Sequence, residues 1–129
     1  MSAGDYRAAA ARIRQEVPAL DAVAARAEGA WAGATGADND YRVDAAALNL
    51  YGFYAGLERV FVVVAERVDA SLPQGANWHP ELLQQMATAI PEVRPAVLDA
   101  DLASRPRWRL SPAIDARARR LRRRSRPCP

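Results

Sequence analysis

Apolar residues recur along this chain at alternating steps of four and three, the spacing that places them on one side of an α-helix. The longest such run passes through Val43, Ala47, Leu50, Tyr54, Leu57, Phe61, Val64 and Val68 without a break. Between Ala45 and Ala65 the only strongly polar side chains are Asn49, Glu58 and Arg59. A helix apolar nearly all round has to be covered by protein on most sides, which predicts the central member of a helical bundle.

A second seam precedes it, through Tyr6, Ala10, Ile13, Val17, Leu20, Ala24, Ala27 and Trp31, with Arg12, Arg14, Glu16, Asp21 and Glu28 off the seam. It predicts a helix from about Ser2–Asp5 to Trp31 or Ala32. Pro18 removes one backbone bond and crowds a carbonyl, but the seam keeps its phase from Val17 to Leu20, so a kink is expected and not a stop. Gly33, Thr35 and Gly36 then mark a loop, and Asp38 or Asn39 is placed to cap the second helix. Two helices of roughly 28 residues, about 40 Å each, joined by a short loop make an antiparallel hairpin. Both seams hold a period near 3.5, which favours a shallow left-handed crossing.

Asn49, Gly52, Gly56 and Arg59 form a face of small residues on the second helix. Each glycine costs about 1 kcal/mol in a helix relative to alanine, which close approach by another helix would offset. These four residues are therefore candidates for a packing face, towards this chain or towards a second copy.

Leu72-Pro73-Gln74-Gly75 turns the chain, and His79-Pro80-Glu81 reads as a helix start with Pro80 in the first helical position. A short third helix follows, from Pro80 to about Ala89, with Leu82, Leu83 and Met86 as its apolar contacts. Pro91 and Pro95 bound an irregular connection. Asp99 or Asp101 then caps a fourth helix that meets Pro106 almost at once. The fold class is all-α: an antiparallel bundle of three good helices with a truncated or altered fourth.

Charge divides the chain more sharply than hydropathy does. Residues 1–104 carry eight Arg against fourteen acids, a net of −6, and residues 105–129 carry ten Arg against Asp115 alone, a net of +9. Every basic residue is Arg. This composition boundary separates a helical domain, residues 1–104, from an Arg/Pro-rich tail, residues 105–129. Cys128 has no second cysteine to pair with, and one thiol with the single histidine, His79, is no metal site. No cofactor motif is present. The chain has no run of eighteen apolar residues and no basic-then-apolar leader, which predicts a cytoplasmic protein with no membrane partner.

From Leu48 to about Ser104 the chain resembles the HepT-like toxins of the HEPN superfamily. The matching pieces are LNLYGFYAGLERVF, then Leu72-Pro73-x-Gly75, Trp78-His79 followed by ELLQQM, and Val93-Arg94-Pro95, in that order. The resemblance covers residues 40–105. It implies an all-α bundle, usually a homodimer, in a family whose active members are metal-independent ribonucleases. The partner it implies is a nucleotidyltransferase antitoxin of the MNT type. In that superfamily the catalytic element is an Arg followed after four to six residues by a His, near the start of the last long helix. RNA cleavage by the 2′-hydroxyl needs a group to move protons and a cation to stabilise the phosphorane, which is why those two residue types occur together. Here the nearest Arg before His79 is Arg67, twelve positions back, and no His follows Ser104. The expected reading is a toxin-family protein without competent catalytic residues.

Three readings fit the tail. It is the out-of-frame end of a HepT-like gene, since Arg, Pro and Ala without Lys is what shifted GC-rich coding produces. It is a basic extension without fixed structure. Or it is an RNA-binding arm, with Arg117, Arg119, Arg120, Arg122, Arg123 and Arg124 contacting phosphates. In the last case the protein would be a non-enzymatic interaction module. Trp108 alone offers a stacking surface, which argues against sequence-specific recognition.

Single residues read mainly as structural. His79 beside Trp78 is expected at a helix start, with no acid spaced to sit next to it. Glu58 and Arg59 point about 100° apart and do not pair with each other. Tyr41, Tyr51 and Tyr54 at helical spacing are expected in core or interface.

Overall fold

The computed structural model of the protein describes residues 3–34, 39–101 and Arg120. Its elements are α1 over Ala3–Ala32, α2 over Asn39–Val63, a π-turn over Val64–Val68 and α3 over Trp78–Met86. The described residues are all-α, with one isolated antiparallel bridge between Ile90 and Arg94. α1 continues through Pro18. Asp38, one of the two candidate caps for α2, lies outside the described residues.

The chain divides into two compact units, residues 1–16 with 57–108 and residues 17–56 with 109–129. In the second unit α1 and α2 run antiparallel. Val23 lies over Gly52, Arg26 Nε donates to Asn49 Oδ1 at 3.2 Å, and Gly33 lies against the Arg42 side chain, pairs whose residue numbers total 75 each time. In the first unit Arg59 meets Glu16 at 3.9 Å.

The apolar seam of α1 differs from the one its residue types suggest. Ala10, Ile13, Leu20, Ala24 and Ala27 are buried or half-buried as expected, and Ala9, Glu16, Val23 and Ala30 join them. Tyr6, Val17 and Trp31 are exposed, Trp31 to 68 %. Bulk was a poor guide here. A helix hairpin closes best on small side chains, and Ala9, Ala27 and Ala30 let the backbones approach.

The core of the first unit is Phe61, Val64, Ala65, Leu82, Met86 and Leu98, with Ile13, Leu57 and Trp78 packed against it. Phe61 and Val64 come from the predicted seam of α2, and Leu82 and Met86 from the predicted contacts of α3. α3 itself starts two residues earlier and ends sooner than the expected Pro80–Ala89 span. Pro80 is tolerated in its first turn because the first four N–H groups of a helix have no intrahelical partner. Beyond α3 the chain folds back, and the N–H groups of Val97 and Leu98 donate to the Met86 carbonyl at 2.8 and 3.0 Å, which seats Leu98 in the core. Asp99 Oδ1 accepts from the Asp101 N–H at 2.7 Å, so Asp99 is the cap of the turn that begins at Ala100.

Two expectations for α2 are corrected. The central helix does not stay α to Val68, because Asp69 N–H donates to the Val64 carbonyl at 3.0 Å, the i→i+5 bond of a π-turn. Apolar periodicity cannot detect one wider turn, since Val64 and Val68 fall on the same side either way. Nor is α2 buried all round: Ala46, Ala47, Gly56, Val60 and Phe61 are buried, while most other positions are half-buried and Leu48 is 40 % exposed. Among the described residues the stretch Asn39–Val68 is long and apolar enough to cross a membrane, by length and composition alone. A core helix meets the same test.

Candidate functional site

The family-like tokens of the sequence converge in the first unit, around the end of α2 and the start of α3. The wide turn ends with Ala70 at φ 54°, an unusual conformation for alanine, and Ser71 N–H reaches back to the Ala65 carbonyl at 2.9 Å. Leu72-Pro73-Gln74-Gly75 follows as irregular chain, with Gly75 at φ 96°, the left-handed region that favours glycine.

Asp69, at the end of the π-turn, anchors this region. Arg94 Nε and Nη2 each lie 2.6 Å from one Asp69 oxygen, a two-pronged pair with the side chains only 8 % and 1 % exposed. The other Arg94 protons go to the carbonyls of Thr88, Pro95 and Gln85 at 3.0, 3.0 and 3.1 Å. All five guanidinium N–H groups are therefore engaged. Gln85 Nε2 adds bonds to Asp69 Oδ2 and the Ser71 carbonyl, at 2.7 and 2.8 Å. Burial pushes the Asp69 carboxyl up, but the hydrogen bonds from Arg94 and Gln85 and the Arg94 charge outweigh it and hold it below the ordinary carboxylate value. The Val93-Arg94-Pro95 token thus has a structural job: it ties the loop after α3 to the end of α2.

That tie fixes the start of α3, where Trp78 and His79 stack with ring centroids 3.6 Å apart. His79 Nδ1 lies 2.9 Å from Glu58 Oε2 on α2. The sequence reading placed no acid beside His79; the fold supplies one from 21 residues away. An ionised carboxylate only accepts hydrogen bonds, so Nδ1 carries the shared proton, and Glu58 sets the orientation of the ring.

Glu58 also lines an open groove between α1 and α2 within the first unit. Ala8, Ala9, Val62 and Val63 form its apolar part, and Asp5, Arg12, Arg59, Glu66 and Arg67 its charged part. Three acids and three arginines line it, so it carries no net charge. Among the described residues no group of His, Cys, Asp or Glu is arranged to hold a metal.

The remaining candidate residues fall as follows. Asn49 and Gly52 lie against α1 of the same chain, with Asn49 Nδ2 also donating to the Ala45 carbonyl at 2.8 Å, and Gly56 is buried. A Cβ added to Gly52 would meet Val23 at 3.7 Å, an ordinary contact, so close approach does not demand glycine there. Tyr41 is 80 % exposed and takes no part in a core. Tyr54 is half-buried, meets Phe53 edge-on at 5.6 Å, and burial pushes its phenol up. Of the tail arginines, Arg120 is helical and exposed. Arg117, Arg119, Arg122, Arg123 and Arg124 lie outside the described residues. Sequence reasoning missed Asp69, Gln85 and the Glu58–His79 contact, since their partners are far apart in the chain.

Residues 45–107 match the family model described as HepT-like protein. This matched segment belongs to the HepT-like family. The matched segment holds the whole Asp69–Arg94 tie, the Trp78–His79 stack and the α2 wall of the groove. No curated protein and no solved structure is significantly similar to this HepT-like chain.

Proposed function

We propose that this HepT-like protein is the toxin-side component of a toxin–antitoxin pair of the MNT/HepT type, and that it does not itself cleave RNA. The observation that carries the reading is the match of residues 45–107 to the HepT-like family. Its implied partner is a nucleotidyltransferase antitoxin encoded beside it.

The chemistry of the family supports the second half. Metal-independent cleavage of RNA needs a proton-moving group and a cation at the phosphorane, held together. The chain's single histidine follows the nearest arginine by twelve positions, outside the Arg-x4–6-His pattern. His79 is bound at Nδ1 by Glu58, a carboxylate that orients the ring and is not the cation this chemistry requires.

Two measurements test the proposal. Purified protein incubated with total RNA in the presence of chelator is expected to leave the RNA intact; cleavage that survives chelator and disappears in His79→Ala would overturn the non-catalytic reading. Co-expression with the neighbouring nucleotidyltransferase is expected to yield a complex on affinity purification, and its absence at micromolar concentrations of both would sink the partner assignment.

A further inference from the structure

We propose that the α1–α2 hairpin carries a built-in flexure at the level of Pro18, Gly52 and Gly56, where both helices open and bend together. Pro18 has no N–H to donate, so the Arg14 carbonyl lacks its i→i+4 partner, yet α1 continues through it. In the antiparallel register whose paired residue numbers total 75, Gly56 falls level with Ala19, next to Pro18. Gly52 lies one turn further along α2. Proline and glycine are residues at which helices kink. Packing does not account for Gly52: a Cβ there meets nothing nearer than Val23, at 3.7 Å, so alanine would fit and would hold the helix more firmly.

Side chains do not clamp this level either. From Ala10 to Ala19 on α1 and from Leu48 to Arg59 on α2, Gly56 is the only buried residue. Val17 is 43 % exposed. The firmly packed positions lie to either side, at Ala9 and Leu20 on α1 and at Ala47 and Val60 on α2. Arg59 and Glu16 approach only to 3.9 Å with Arg59 61 % exposed, a pair too loose to lock the two helices. The boundary of the compact units passes through the same level, after Glu16 in α1 and after Gly56 in α2, so it divides two continuous helices instead of falling at a loop. Local opening is drawn from such stretches of few buried apolar contacts.

The test is native-state hydrogen exchange on the full-length protein, with rates corrected for intrinsic chemistry and circular dichroism as the check on folding. Amides from Val17 to Val23 and from Gly52 to Leu57 are expected to exchange at least about tenfold faster than those from Phe61 to Ala65. Fraying from the helix ends gives the opposite order, with the middle slowest. Pro18→Ala is expected to slow exchange at least about tenfold in the middle of both helices, and by more than at Phe61–Ala65. Gly52→Ala, which adds only a methyl, is expected to slow the Val17–Val23 amides of α1 about two- to five-fold. Mid-helix amides as protected as Phe61–Ala65 would overturn the flexure. So would a folded Pro18→Ala that slows α1 alone and leaves Gly52–Leu57 unchanged, or a Gly52→Ala without effect on α1, since either result would mean two separate weak points.

Discussion

Asp69→Asn is the substitution that most directly tests how this fold is held together. Asn keeps the shape of the side chain and one acceptor oxygen, but removes the charge that faces Arg94. The guanidinium stays in place, 8 % exposed, with its three carbonyl bonds and no counter-ion. Breaking a buried pair from one side costs about 3–5 kcal/mol, because the remaining charge is left uncompensated out of water. Whole domains are stable by roughly 5–15 kcal/mol, so the loss is a large share of the total. At a urea dependence of about 1–1.5 kcal/mol per molar, the unfolding midpoint followed by circular dichroism should fall by roughly 2–5 M. The difference should also depend on pH. Asp69 is held below its ordinary value of 3.8 in the folded protein, so its stabilisation is complete above that value and lost as pH falls through the folded one. Below about pH 4 the unfolded chain binds the proton more readily, and the gap between wild type and Asp69→Asn should close. A loss under about 0.5 kcal/mol at pH 7, or a gap that widens on acidification, would refute the view of Arg94 and Asp69 as the tie between the loop and α2.

Two other outcomes follow from named contacts. Gly52→Ala should stabilise the protein by about 0.5–1 kcal/mol in thermal unfolding, because the new methyl meets Val23 at 3.7 Å and the helix loses a flexible residue; a loss of stability would mean that α1 lies closer than 3.7 Å implies. If the tail binds RNA, replacing Arg117, Arg119, Arg120, Arg122, Arg123 and Arg124 with Gln should weaken binding and flatten its salt dependence in fluorescence anisotropy, and equal binding by the variant would exclude the tail as the contact.

Local pattern determined a good deal of this protein. The 3–4 alternation predicted both long helices, Pro80 fell in the first turn of α3, Asp99 capped the turn that begins at Ala100, and the tokens from Leu72 to Pro95 pointed to the family. These are readings of short-range physics, in which neighbours in sequence are neighbours on one helix turn. Even so, Tyr6, Val17 and Trp31 of the expected α1 seam face outward, because small residues such as Ala9 and Ala30 let two helices close in their place. Only the tertiary structure decided the rest. Asp69 meets Arg94 across 25 residues, and Glu58 meets His79 across 21, distances over which sequence carries no geometric information. The π-turn is equally silent in the pattern, yet it delivers Asp69 to Arg94 and keeps Glu66 and Arg67 on the groove. A histidine that looked isolated in the sequence therefore has a carboxylate partner, because α2 and α3 pack against each other around Phe61, Leu82 and Met86.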